Sequence, residues 1–197
     1  MNTLSVSPRS RARRVVLLLA LLAGVVAGCQ DPFKLTARSA NFDATFELWA
    51  VSGTPAAYPS GLLVPQGVVV RLDPSGNFDV AFDIDALGRL VVIPVSSAVA
   101  PVTGPRAIGF QRTAATYNSI VEAPKSGWTN DSLFVVAPGE TFLVKVTTQY
   151  CQFDLRRETY AKFRVDSVLP AERRIKLVSR VNPNCGFRSL AAGIPLF

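Results

Sequence analysis

Apolar and polar residues alternate in short runs along most of the chain, which is the pattern of half-buried β-strands. In the run 78–85 every second residue is apolar, and breaker-rich turns such as DPSGN at 73–77 separate one run from the next. The predicted strands are 33–39, 44–52, 68–72, 78–85, 89–95, 132–136, 141–150, 158–169 and 174–181, with a further short strand near 117–122. No amphipathic helix longer than two turns is evident. A set of about 8–10 short strands predicts an all-β fold, either an antiparallel β-sandwich or a small barrel.

The first 28 residues depart from this pattern and have the three parts of an export signal. Four arginines and no acidic residue come first, the uncharged run VVLLLALLAG follows, and small residues precede Cys29. The apolar stretch is shorter than the ~20 residues that a membrane-spanning helix needs. Residues 1–28 are therefore predicted to be a signal peptide that is not part of the folded domain.

The signal ends in Val26-Ala27-Gly28-Cys29, which is a small aliphatic residue, two small residues and a cysteine. This sequence resembles the lipobox of bacterial lipoproteins. The resemblance implies that Cys29 becomes the N-terminus of the mature protein, with a thioether-linked diacylglycerol and commonly a third acyl chain such as palmitate. Two or more acyl chains anchor a protein stably, whereas one chain binds a membrane only marginally.

The same resemblance implies an exported protein that is lipid-anchored to the cell envelope. In enterobacterial lipoproteins an aspartate directly after the cysteine favours retention at the inner membrane. Gln30 occupies that position in this chain and Asp31 follows it. The outer membrane, on its periplasmic or surface face, is therefore the expected location if the organism has one.

The chain divides into a signal peptide (1–28), the lipidated cysteine with a short tether (29–35) and a single β-rich domain (36–197). The formal net charge is +7, from 21 basic and 14 acidic residues. Four of the basic residues belong to the signal peptide, so the mature chain has 17 basic residues against 14 acidic ones and a net charge of +3. This balance gives no reason to expect a nucleic-acid partner.

Cysteine and histidine usage limits the chemistry that this protein can perform. Export leads to an oxidising compartment, so the remaining pair, Cys151 and Cys185, is predicted to form a disulfide. The chain has no histidine and no CxxC, which excludes histidine-dependent catalytic triads and histidine-ligated zinc. No catalytic, metal-binding or cofactor-binding motif is evident, so we expect no cofactor.

Acidic residues form the first candidate site. Asp79, Asp83 and Asp85 share one strand face, and Asp73 lies in the preceding turn, but the spacing departs from that of an EF-hand calcium loop. A solvated turn and sheet face is the favoured interpretation. The strand carboxylates, together with Glu122, are also the candidates for an alternative function: a small hydrolase of envelope polysaccharide, which would need two carboxylates ~5–10 Å apart.

Basic residues form the second candidate site. Lys162, Arg164, Arg174 and Lys176 lie on one face of the predicted C-terminal hairpin. Such a face could contact an anionic surface, including the phosphate groups of the membrane that holds the lipid anchor. The favoured interpretation is a solvated face whose charges discourage aggregation through strand edges.

The two tryptophans are the third candidate, because exposed aromatic rings form binding platforms for sugars and other ligands. Trp49 falls on the polar face of its predicted strand, and Trp128 lies in the predicted loop KSGWTND. The favoured interpretation is that loops cover both rings.

These observations predict a non-enzymatic, membrane-anchored envelope lipoprotein with a binding or structural β-domain. Its expected partners are membrane lipid, through Cys29, and an envelope glycan or protein. The alternatives are the hydrolase described above and an inhibitor or adaptor that binds a secreted protein through the loops 52–61 and 123–131.

Overall fold

The computed structural model describes residues 36–99, 106–147, 151 and 156–196. All the described elements belong to one compact unit, Thr36–Phe197. The strands are β1 (Phe42–Trp49), β2 (Gly61–Leu63), β3 (Val68–Val70), β4 (Val80–Ile84), β5 (Leu90–Pro94), β6 (Ala107–Thr113), β7 (Thr129–Asn130), β8 (Phe134–Val136), β9 (Thr141–Thr147), β10 (Glu158–Leu169) and β11 (Arg174–Asn182). The helical elements are the single-turn α1 (Val95–Ala98) and the 3₁₀ turn η1 (Tyr117–Ser119).

The strands form two antiparallel sheets that pack together. The six-stranded sheet has the order β1-β11-β10-β9-β6-β7, and the five-stranded sheet has the order β3-β2-β4-β5-β8. Strands that follow each other in the chain, such as β10 and β11, pair as hairpins. The predicted all-β fold is confirmed, and of the two predicted architectures it is the sandwich.

The core lies between the sheets and consists of the apolar residues from the alternating strands. Phe142 and Phe163 of the six-stranded sheet stack with ring centroids 5.3 Å apart, and both are buried together with Phe82 of the five-stranded sheet. Burying an apolar side chain of this size contributes about 1.5–3 kcal/mol. The alternation at 78–85 therefore identified a true inward face, since Phe78 and Ile84 at its two ends are buried as well.

Two loops cover part of the outer face of the six-stranded sheet. Residues 114–128 and 187–196 pair with each other, because Ala123 N–H donates to the Arg188 carbonyl and Leu190 N–H donates to the Val121 carbonyl, each at 2.8 Å. Beneath them is a second, smaller apolar cluster of Ile120, Ala123, Leu143, Tyr160 and Leu190, with Trp128 against it. We call this part of the outer face the covered half. The remainder, which carries Glu47, Trp49, Arg174 and Lys176, is the open half.

The predicted strands differ from the observed ones in several places, and the short strands β2 and β7 were not predicted. Of the strand predicted at 33–39, the described residues 36–39 form no strand, because the backbone there bonds to the side chain of Asn184. The strand predicted near 117–122 is instead η1 and an isolated bridge at Glu122. Strand β6 was missed because only two of its inward positions, Ile108 and Phe110, are apolar and Arg112 occupies the next one. A Cβ at Gly109 would lie 2.8 Å from Asn130 Oδ1, so a larger residue there would require the Asn130 side chain to move.

Candidate functional site

A basic cleft of about 690 Å³ opens at the end of the six-stranded sheet where β9 ends and β10 begins. Its lining residues are Lys125, Thr147, Arg156, Arg157, Glu158, Tyr160 and Arg188. Among the described lining residues, four are cationic and one is a carboxylate, and a surface of this composition attracts anions. Sequence reasoning missed this site. The available signal was the pair of consecutive arginines just before the predicted strand 158–169.

The chain segments around the cleft are fixed by specific backbone contacts. Gly186 N–H donates to the Glu158 carbonyl at 2.8 Å, and its φ of +77° is one that residues with a side chain rarely adopt. A Cβ on Gly186 would also lie 2.7 Å from the Cβ of Arg156. Arg188 is held by a 2.8 Å bond from its Nε to the Ala123 carbonyl and by an ion pair with Glu122. Arg188 is thus positioned by the 114–128 loop, and the close approach of Gly186 to Arg156 leaves no room for a side chain at Gly186.

The disulfide predicted between Cys151 and Cys185 is present, with a Cα–Cα distance of 5.7 Å. It lies at the same end of the sheet as the cleft, because Cys185 directly precedes Gly186. The segment after β11 that contains Cys185 is held by Asn182. The side-chain amide of Asn182 donates hydrogen bonds to the carbonyls of Phe187 and Ser189. A bridge across 34 residues is expected to stabilise the fold by about 3–4 kcal/mol in the chain-entropy model.

The start of the domain is attached at this same end. The backbone N–H groups of Arg38 and Ser39 donate to Asn184 Oδ1 at 2.9 and 3.0 Å, and Asn184 Nδ2 donates back to the Ser39 carbonyl. Two residues further on, Asn41 N–H donates to the Gly193 carbonyl and the side chain of Asn41 bonds to the same C-terminal loop. The chain therefore enters the sandwich beside the disulfide and the cleft.

The structure corrects the predicted basic face at Lys162, whose side chain is only 1% exposed. Lys162 Nζ donates to the carbonyls of Tyr117 and Ile120, each at 2.8 Å, and lies 4.5 Å from the centroid of the Tyr117 ring. Burial, and secondarily the nearby Arg180, lowers the pKa of Lys162, while Asp43 opposes this shift. Lys162 therefore fastens the 114–128 loop to the sheet and cannot touch an external surface.

The other three residues of the predicted face are partly exposed, and each has an acidic partner. Arg164 pairs with Asp166 at 3.1 Å, Arg174 pairs with Glu172 at 3.1 Å, and Lys176 pairs with Glu47 at 2.9 Å. Their charges are largely balanced by these neighbours. Contact of Arg164, Arg174 and Lys176 with an anionic surface stays a prediction.

The candidate carboxylates are each engaged in separate structural contacts. Asp79 is buried and accepts a 2.8 Å hydrogen bond from Val64 N–H, and this burial raises its pKa. Asp83 pairs with Arg173 at 2.7 Å, and Asp85 pairs with Arg89 at 2.7 Å within its own turn. Within the described ranges, no three His, Cys, Asp or Glu side chains are grouped so that they could hold a metal ion.

Both tryptophans contact other side chains, one on each half of the outer face. On the open half, Trp49 stacks on Tyr58 with ring centroids 5.0 Å apart. On the covered half, Trp128 is half-buried, with Lys145 Nζ 5.5 Å from its ring centroid and Tyr160 5.9 Å away. Neither ring forms a bare aromatic platform.

Cys29 and the signal peptide lie outside the described residues. Among the helices of the described part, none is long and apolar enough to cross a membrane. Comparison of the chain with protein-family models, with curated proteins and with solved structures finds no match in any of the three.

Proposed function

We propose that this protein is a lipoprotein of the bacterial cell envelope, anchored by acyl chains on Cys29, with a β-sandwich that binds or supports another envelope component and is not an enzyme. The observation that carries the proposal is the order of the first 29 residues: arginines, an uncharged apolar run, small residues and cysteine. The expected membrane is the outer one where the organism has two, because Gln30 follows the cysteine.

The contacts of the acidic residues support a binding or structural role over hydrolysis. A carboxylate-pair mechanism needs two free carboxyl groups on either side of a substrate. Asp79 is buried against a backbone amide, and Asp83 and Glu122 are each tied to an arginine that also bonds to backbone carbonyls. These carboxylates therefore stabilise turns and loops of the sandwich.

The anchoring is tested by changing the cysteine that accepts the lipid. Cells producing the full chain are labelled with a clickable fatty acid, and the protein is isolated and probed for the label. The native protein should carry label and have lost residues 1–28, whereas Cys29→Ala should remain an unlabelled precursor. Gln30→Ala is the matched control, since it leaves the cysteine and the small residues intact. Equal labelling of the native protein and Cys29→Ala would disprove lipidation at this residue.

A further inference from the structure

We propose that the basic cleft is a second membrane contact, which binds the phosphate groups of anionic lipid headgroups beside the acyl anchor. This inference rests on the proposed lipid anchoring and specifies which surface of the domain meets the membrane. It assigns the membrane contact to the cleft instead of to the predicted hairpin face. On that face Lys162 is buried, and Arg164, Arg174 and Lys176 are paired with acidic residues.

The first argument is where the chain enters the domain. Phe42, the first residue of β1, pairs with Val181 of β11, and Val181 in turn pairs with Ala161 of β10. Tyr160, which lines the cleft, is the residue just before Ala161. Because neighbouring strands are about 4.8 Å apart, the start of β1 lies on the order of 10–15 Å from the cleft.

The second argument is the length of the tether. Cys29 is separated from Arg38, whose backbone is bonded to Asn184, by the segment 30–37. A chain of this length spans at most about 30 Å when fully extended. The open half lies further from the point where the tether joins the domain, since Arg174 pairs with Trp49 at the other end of β1, on the order of 20 Å along the strand. The point where the tether joins the domain is therefore nearer to the cleft than to the open half, which favours the cleft as the membrane contact.

The third argument is the balance of charge in the cleft. Lys125, Arg156 and Arg157 are exposed, and among the lining residues that the structure describes Glu158 is the one carboxylate. Arg188, the fourth cation, is already paired with Glu122. An excess of arginine suits phosphate, because the guanidinium group donates two parallel hydrogen bonds to phosphate oxygens. Lys145, above Trp128, adds a further cation on the same half of the sheet.

The test uses the lipid-free mature domain, residues 30–197, which keeps every described strand and both cysteines of the disulfide within its compact unit. Its binding is measured by co-sedimentation with vesicles of phosphatidylcholine alone and with vesicles that also contain phosphatidylglycerol. Binding is expected only to the phosphatidylglycerol vesicles, and it should weaken as salt shortens the Debye length towards ~8 Å.

Two triple variants locate the contact. The cleft variant Lys125→Gln/Arg156→Gln/Arg157→Gln is expected to lower the vesicle affinity on the order of 100-fold, because each basic residue near an anionic surface contributes about fivefold. The matched control Arg164→Gln/Arg174→Gln/Lys176→Gln removes the same charge from the rest of the sheet face and should change the affinity much less. An equal loss in both variants would show that only net charge matters and would overturn the proposal.

Two further outcomes would also overturn it. One is binding that shows no preference for phosphatidylglycerol at low salt. The other is displacement from the vesicles by inorganic phosphate, but not by chloride of the same ionic strength, which would identify the cleft as a site for a dissolved anion. Because the protein in this test carries no lipid, a failure here leaves the fatty-acid labelling result untouched, and the two proposals can be judged separately.

Discussion

The covered and open halves of the outer sheet face use similar residues in different ways. On the open half, Lys176 and Glu47 face each other across β11 and β1 and form an ion pair at the surface. On the covered half, Lys162 is buried beneath the 114–128 loop and donates to two backbone carbonyls. A surface ion pair contributes little to stability, whereas a buried ammonium group bonded to carbonyls holds a loop in place. The role of each lysine is therefore set by what lies above it.

The same contrast extends to the ends of the sheet. The covered half lies at the end where the chain enters, next to the disulfide and the cleft, whose cations outnumber its carboxylates. On the open half, Arg174 and Lys176 both lie within reach of Glu47. Among the described residues, cations therefore outnumber carboxylates at the cleft, whereas Arg174 and Lys176 at the other end each have an acidic partner.

The largest expected difference between the two halves is in the contribution of Lys162 and Lys176 to stability. Each lysine is replaced by methionine in a separate variant. Lys162→Met should lower the free energy of unfolding by about 2 kcal/mol, because the carbonyls of Tyr117 and Ile120 lose a charged donor in a buried site. The control, Lys176→Met, should change it by less than about 0.5 kcal/mol, since an exposed side chain is replaced. Equilibrium denaturation in urea measures both. Equal effects of the two substitutions would mean that Lys162 does not hold the loop.

A smaller effect is expected at Tyr117, whose ring lies over Lys162. Its hydroxyl is buried and has no hydrogen-bond partner among the described residues. Tyr117→Phe should therefore leave the stability unchanged at neutral pH or raise it by up to about 1 kcal/mol. A clear loss of stability in this variant would indicate that the hydroxyl makes a contact that holds the cover.

Alkaline pH should separate Tyr117→Phe from the native protein. Burial raises the pKa of Tyr117 from about 10 to about 12. The unfolded chain then loses this proton before the folded one does, so the contribution of Tyr117 to stability is complete below pH 10 and is lost as the pH rises to about 12. Lys162, with its lowered pKa, acts in the opposite direction in both proteins. Denaturation curves between pH 9 and pH 12 should show a steeper decline for the native protein than for Tyr117→Phe; parallel curves would contradict the burial of this group.

The part of the fold that follows strict alternation could be predicted from the sequence. The β4 and β9–β11 strands were located because every second residue faces the core. The disulfide was predicted because an exported chain would have just two cysteines besides Cys29. The cover could not be predicted, because residues 114–128 have no periodicity and are held by long-range contacts such as Lys162 to Ile120. The alternation of apolar and polar residues places Lys162 and Lys176 on the same polar face of the sheet. It cannot show that the 114–128 loop packs on Lys162 and not on Lys176.

The cleft was missed for a related reason. Lys125, Arg157 and Arg188 lie far apart in the sequence, and only the pairing of the two covering loops and the turn into β10 brings them together. The position of the chain entry was equally hidden, because it depends on the side chain of Asn184 bonding to Arg38 and Ser39.

The most direct test of the account uses the two tryptophans as reporters, one on each half. The lipidated protein is placed in phosphatidylglycerol-containing vesicles with an energy acceptor on the headgroups, and transfer is measured in Trp49→Phe, which keeps Trp128, and in Trp128→Phe, which keeps Trp49. Transfer from Trp128 should exceed that from Trp49, and the difference should shrink when Lys125, Arg156 and Arg157 become glutamine. Equal transfer from the two rings, or stronger transfer from Trp49, would contradict a domain that rests on the membrane by its covered half.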